Sequence, residues 1–203
     1  MNAKRYSETL LPTTHGTLRM VVYRAADGIE HVAMVAGDVR GRDVLCRVHS
    51  ECLTSEVFGS LKCDCKEQLD RSLDEIAAQG RGVVVYLRGH EGRGIGLGDK
   101  VRAYALQEQG HDTVDANRML GLPDDARDFS AVRSILADLG VQSVELLTNN
   151  PLKVDALRAL GIVVTRRVPH VVRASPTAMR YVATKGRRMG HFVDPDEMMF
   201  AAK

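Results

Sequence analysis

The sequence predicts an α/β protein: a mixed sheet with an antiparallel hairpin region at its amino-terminal end, followed by alternating helices and strands. Three observations predict it. β-Branched runs crowd the first fifty residues around an Asp-Gly turn signal, segments of helical period alternate with strands from about residue 66, and "GVVVYLR" (82–88) is a nearly unbroken apolar run. Such a run suits a strand covered on both faces, and strands alternating with helices suit a largely parallel region.

The elements follow in order. "TLRMVVYR" (17–24) and "HVAMVAGD" (31–38) flank Asp27-Gly28, and "DVLCRVHS" (43–50) comes next, so this part reads as a hairpin plus one further strand. "KEQLDRSLDEIAAQG" (66–80) carries Leu69, Leu73, Ile76 and Ala77 at helical spacing and stops at Gly80, a natural residue just past a helix end. After the strand at 82–88 and the glycine-rich "GHEGRGIGLG" (89–98) comes a helix at 99–110. A helix at 131–140, a strand at 141–148, a helix at 150–161 and a strand at 162–168 complete the pattern. No linker, repeat or low-complexity tract breaks the chain, which reads as a single domain over 1–203 with a core at about 8–192 and a flexible tail at 193–203.

Composition narrows the function. With 203 residues, 44% hydrophobic and 27% charged, the chain is an ordinary globular protein, long enough to bury a core. Four phenylalanines, five tyrosines and no tryptophan make aromatic stacking on single strands a poor mechanism, and a net charge of +2 is too mild for polymeric nucleic acid or a membrane surface. No window approaches the apolar length of a membrane span, and "MNAKRYSETLLPTTHG" lacks the apolar run of a secretory signal. The expectation is a cytoplasmic protein, where clustered thiols are metal ligands or catalytic groups more often than disulfides.

"ECLTSEVFGSLKCDC" (51–65) holds three of the four cysteines. Residues two apart on a helix point in different directions, so Cys63 and Cys65 can share an ion only if Asp64 sits in a turn or extended segment just before the helix near Lys66. That helix start would favour thiolates. Three thiolates fill three corners of a tetrahedral zinc; an open fourth corner can activate water, whereas a closed one braces the fold. Cys46, between apolar neighbours, reads as a buried small hydrophobe, and His49 is the other candidate to close the shell. Three unrelated buried thiols remain an alternative.

"YLRGHEGRGIGLGDK" (86–100) runs from strand to helix with five glycines and with Arg88 and Arg93. Such a loop can bring backbone amides to an oxyanion, and a guanidinium among glycines suits phosphate. Its spacing fits neither common phosphate-loop pattern, so a merely flexible loop stays open.

The segments "RVHSECLT", "FGSLKCDC", "QL", "EGRGIGL", "RAYALQ", "DTVDAN" and "LLTNNPLKVDALRALGI", in this order over roughly residues 8–192, closely resemble the GTP cyclohydrolase II family. The resemblance implies a homodimeric enzyme of riboflavin biosynthesis that opens the imidazole ring of GTP and releases formate and pyrophosphate. It implies one Zn2+ per subunit and Mg2+ with the triphosphate. By position it implies Cys52, Cys63 and Cys65 as zinc ligands, and Arg47, Val48, His49, Ser50, Glu51, Gln68, Glu91, Gly92, Arg93, Thr113, Thr148 and Lys153 as substrate-binding residues.

Asp125 and Arg127 match the pair that the family assigns as proton acceptor and as nucleophile on the α-phosphorus, and Tyr104 matches a tyrosine able to position a proton or water. A guanidinium is protonated at physiological pH, which leaves the chemistry of Arg127 open. Without the resemblance, Thr148 and Asn149 read as helix caps, Asp125 and Arg127 as a surface ion pair and Tyr104 as a core aromatic. "RGHEGRG" is one residue longer than the frequent family pattern, and "LTSE" and "CDCK" stand where "LTGD" and "CDCG" are common. A family member that retains the formyl group, a non-catalytic GTP-binding zinc module and, more remotely, a nucleic-acid zinc knuckle are the rival readings. Fused relatives carry a second domain, and this chain is expected to be monofunctional.

Overall fold

The computed structural model describes residues 2–172 and Gly186; the tail expected at 193–203 and the core limit at 192 lie outside the described residues. The strands are β1 (Lys4–Thr13), β2 (Gly16–Arg24), β3 (Glu30–Ala36), β4 (Val44–Ser50), β5 (Gly82–Leu87), β6 (Val144–Leu147) and β7 (Val164–Val168). The helices are α1 (Leu53–Glu56), α2 (Cys65–Gln79), α3 (Glu91–Gly94), α4 (Leu97–Glu108), α5 (Thr113–Met119), α6 (Ser130–Asp138) and α7 (Pro151–Ala159).

One seven-stranded mixed sheet runs in the order β1-β2-β3-β5-β4-β6-β7. The β1, β2, β3 and β5 neighbours pair antiparallel, and β5, β4, β6 and β7 pair parallel. The expected hairpin is β2–β3, where Arg24 faces Glu30 and the Asp27 carboxylate accepts from the Ile29 N–H at 2.9 Å.

Each face of the sheet carries its own core. Ile76 of α2 packs with Leu18, Ala36, Leu45, Val84 and Leu147 on one face, with Leu69, Leu73 and Ala77 partly buried beside it, so the helical spacing read from the sequence is the buried stripe. On the other face Val132 and Ile135 of α6 and Val154 and Leu157 of α7 pack on Val48, Val85, Leu87 and Leu146. Both cores meet at β4 and β5, which explains the nearly unbroken apolar run of β5 and the burial of all but the last residue of β4.

Four elements go beyond the sequence-based expectation: β1, α5 and the short helices α1 and α3. β1 precedes the predicted hairpin and pairs with β2 along its whole length, yet nine of its ten residues are exposed. With no buried face it has no alternation to read; main-chain pairing and the Arg5 fork onto Asp138 hold it. α5 was not anticipated either, although the Asp112 side chain caps it by accepting from the N–H groups of Val114 and Asp115.

Chain order reverses around β4: β5 lies on one side and β6 on the other. In open parallel sheets, such a reversal leaves a crevice at the carboxyl ends of the strands. Glu51 and Cys52 follow β4, the glycine loop follows β5, Thr148 follows β6, and His170 lies just past β7.

Candidate active site

The cysteines converge at the end of β4. Cys52 precedes α1, and its carbonyl accepts from the N–H groups of Ser55 and Glu56. Asp64, with φ −106° and ψ 20°, makes the non-helical turn that lets Cys63 and Cys65, the first residue of α2, face the same point. The Cys52 and Cys63 sulfurs are 3.6 Å apart, and all three sulfurs lie within 4.8 Å of one another. Thiolates at about 2.3 Å from a tetrahedral zinc would be about 3.8 Å apart, so the three sulfurs fit one ion. Hydrogen bonding from Cys63 and Cys65 lowers the Cys52 thiol far below its usual range, against burial and with help from Lys100. The same sharing with Cys52 raises Cys63.

Neither other candidate closes the shell. Cys46 packs in the core on the α6–α7 face, and burial pushes its thiol up to about 12. His49 gives Nε2 to Glu56 at 2.7 Å, while the Tyr86 hydroxyl donates to the other Glu56 oxygen at 2.5 Å. Among the described residues, Cys52, Cys63 and Cys65 form the one group of three or more histidine, cysteine or acidic side chains able to hold a metal.

The sulfurs open into a cleft of about 1090 Å³, its open mouth included. Arg47, Arg93, Lys100, Arg127 and Lys153 supply positive charge along its wall. Arg47 is buried; it donates to the Leu147 carbonyl at 2.9 Å and to Gln68 Oε1 at 2.6 Å, leaving its Nε without a partner. Gln68 in turn donates to Asp64 at 2.6 Å, so the turn between two cysteines fixes the amide. The Lys153 side chain is buried in the cleft wall, and its ammonium donates to the Val48 carbonyl at 2.7 Å.

The glycine loop contains the short helix α3, with Gly92 at φ 59° and Arg93 at φ 64°. The left-handed region is strained for arginine. The Arg93 carbonyl accepts from the Ala126 N–H at 2.9 Å, and its Nη2 is buried without a partner. A Cβ on Gly94, at φ 87°, would lie 2.9 Å from the Ala126 carbonyl carbon, so only glycine lets the 124–129 segment close over the loop. That segment carries Arg127, whose Nε and Nη2 fork onto Asp125 at 2.9 and 2.5 Å. Burial opposes ionisation of Asp125, but the fork outweighs it and holds the carboxyl below its ordinary value.

Of the expected site residues, Arg47, His49, Ser50, Glu51, Gln68, Gly92, Arg93, Tyr104, Arg127, Thr148 and Lys153 line the cleft with the three cysteines. Val48 and Glu91, both buried, and Asp125, which is exposed, do not. Glu51 accepts from the Gly89 N–H at 2.8 Å, tying the β4 and β5 ends together. Thr113 opens α5, whose Asn117 reaches the cleft. The cap of α7 belongs to Asn150, which accepts from the Leu152 N–H at 3.0 Å, and not to Thr148 or Asn149. Thr148 is buried and accepts from the Asn150 N–H at 3.1 Å.

A family model described as GTP cyclohydrolase II matches residues 4–169, which span the sheet, the cysteine cluster and the cleft. The chain belongs to the GTP cyclohydrolase II family. Riboflavin biosynthesis protein RibBA of Salinispora arenicola (strain CNS-205) is 56% identical over 197 residues, covering 96% of this chain and 47% of that protein. The RibBA of Nocardia farcinica (strain IFM 10152) is 56% identical over 189 residues, covering 92% and 46%. The chain therefore spans about half the length of the curated relatives it matches. The crystal structure of RibBX, a two domain 3,4-dihydroxy-2-butanone 4-phosphate synthase from A. baumannii, aligns with a TM-score of 0.47 at 23% identity. It covers 83% of this chain and 40% of that one, too distant a likeness to carry an argument.

Within this GTP cyclohydrolase II fold, several cleft residues escaped the sequence reading, among them Lys100, Asn117, His90 and His170. Lys100 sits in the first turn of α4, among residues that read as an ordinary amphipathic helix. Asn117 was hidden with α5, and the Asp112 cap was the signal that could have found it. His90 and His170 are single histidines with no spacing to mark them. Burial, then Arg127 and Lys153, lowers His90 to about 4, and its Nδ1 lies 3.3 Å from Ser50 Oγ. Burial, then Arg47, lowers His170 to about 3; its Nε2 lies 2.9 Å from the Gln68 carbonyl, and its Nδ1 has no partner.

No helix among the described residues is long and apolar enough to cross a membrane.

Proposed function

We propose that this chain hydrolyses GTP in the first step of riboflavin biosynthesis, yielding formate, pyrophosphate and 2,5-diamino-6-(5-phospho-ribosylamino)pyrimidin-4(3H)-one. The observation that carries the reading is the three-sulfur cluster facing a cleft lined by cations, within a chain of the GTP cyclohydrolase II family. Cys52, Cys63 and Cys65 would hold zinc, whose Lewis acidity lowers the pKa of water toward neutrality and so supplies a nucleophile for the guanine ring.

The chain's own residues do the rest. Arg47 and Gln68, locked to each other and to Asp64, present fixed polar groups beside the sulfurs and orient the base. Arg93, Arg127 and Lys153 receive the triphosphate. Arg127 stabilises phosphoryl charge, with Asp125 aiming the guanidinium. Tyr104, on the cleft wall, positions a proton or water near the ring. Magnesium would enter with the phosphates and offset part of their charge. One water adds at C8, a second frees formate from the opened ring, and a third cleaves the α–β phosphoanhydride. The homodimer, the single-domain organisation and the cytoplasmic site are part of the same proposal.

Incubating the purified chain with GTP, zinc and magnesium and identifying the products tests it. Free formate, pyrophosphate and the diaminopyrimidine are expected. A retained formyl group would replace the reading with an early-stopping hydrolase, and GTP binding without turnover would leave a non-catalytic zinc module.

A further inference from the structure

Lys100 is a fully engaged ammonium at the edge of the cysteine cluster. Its Nζ lies 3.2 Å from Cys52 Sγ, 2.7 Å from Thr54 Oγ1 and 2.5 Å from Glu91 Oε1. An ammonium has three protons, and three acceptors meet them, so the group cannot swing away. The pair is nearly dry: the Lys100 side chain is 11% exposed and that of Glu91 8%. Glu91 uses its second oxygen to accept from the N–H of Leu53, the residue after Cys52, at 2.6 Å. The glycine loop rests on the same side chain, since a Cβ on Gly92 would lie 3.1 Å from Lys100 Cβ.

We propose that Lys100 is a positioning residue for the metal cluster: it hydrogen-bonds the Cys52 sulfur and, through Glu91, couples that sulfur to the loop that receives the phosphates. The inference rests on the metal reading given under the proposed function. Three thiolates around a divalent ion leave a net negative centre and weaken the ion as a Lewis acid. An N–H···S bond from a cation draws density off one sulfur and offsets part of that loss, as outer-shell partners do at other metal sites. Because Glu91 belongs to the loop and Lys100 to the helix behind it, displacement of the loop moves the donor on Cys52.

Cobalt(II) is the probe, because its thiolate charge-transfer absorption reports electron density on sulfur without turnover. Lys100→Met, Lys100→Gln and Lys100→Arg are compared with the unaltered chain. The band is expected to move to longer wavelength in K100M, less in K100Q, which keeps an N–H, and least in K100R. Cobalt affinity in K100M is expected to fall about 10- to 100-fold, and kcat for GTP to fall by more than KM rises. If K100M fails to fold, the order of K100Q and K100R against the unaltered chain decides. Unshifted bands in metal-loaded variants overturn the inference and leave the metal reading intact. Absence of any thiolate band in the unaltered chain overturns the metal reading and this inference with it.

Discussion

In the proposed reaction Cys63 and Arg127 each carry one chemical task, so substitution of either tests that task. Cys63 lies 3.6 Å from Cys52 and outside the sheet, so under the proposed zinc reading Cys63→Ser removes one ligand at little cost to the fold. The expected outcome is absence of zinc by elemental analysis and of formate release, with an unchanged circular dichroism spectrum. Formate release without metal would defeat the assignment. Arg127 reaches the cleft through a two-bonded fork onto Asp125, and lysine, a point charge on a flexible stem, cannot reproduce the fork. Arg127→Lys is expected to lower kcat by about 10- to 100-fold, roughly 1.4 to 2.7 kcal/mol of transition-state stabilisation. Steady-state pyrophosphate release checks it, and a full-rate R127K enzyme would remove Arg127 from the chemistry. The cysteines were legible as a cluster because three of the four fall within fourteen positions, and the fold brings their sulfurs within 4.8 Å of one another. Lys100 and His170 were not, because a single lysine or histidine acquires its meaning only from the partners that tertiary folding brings to it.

At the scale of elements, the glycine loop and the 124–129 segment form one closed unit, held by the Ala126 N–H to the Arg93 carbonyl. Gly94 is where they touch, with a positive φ and no room for a Cβ. Gly94→Ala is expected to destabilise the chain by about 1–3 kcal/mol in urea unfolding and to abolish turnover by displacing Arg93 and Arg127 together. Gly98, which meets nothing within 4 Å and has no positive φ, is the control: Gly98→Ala should leave both measurements near the unaltered values. Equal behaviour of the two variants would show that close approach at Gly94 does not shape the site. Elements with a buried stripe were readable from sequence, as α2 shows through Ile76 and its neighbours. β1 was not, since it lies exposed along nearly all its length and is specified by its pairing with β2, a long-range property that no local pattern records.

At the scale of the whole molecule, the reversal of strand order around β4 gathers the ends of four parallel strands into one cleft, and buries two histidines beneath it. His90 bridges Ser50 and the Asp128 carbonyl, and His170 sits against the Gln68 carbonyl and Ser72. Burial lowers them from 6.5 to about 4 and about 3. Well above pH 6.5 neither folded nor unfolded chain protonates these rings, so they add no pH dependence there. As pH falls below 6.5 the unfolded chain takes up both protons while the folded chain refuses them, and stability declines until the folded values are approached. Each ring contributes a slope of up to about 1.4 kcal/mol per pH unit in that window. His170→Gln keeps a donor for the Gln68 carbonyl and removes one titration. Urea midpoints measured from pH 7.5 to 5 should therefore fall more steeply for the unaltered chain than for H170Q, so that the stability gap between them shrinks with acidity. Parallel curves would mean that the His170 ring takes up its proton as readily folded as unfolded, and that the floor of the cleft is far wetter than its packing implies.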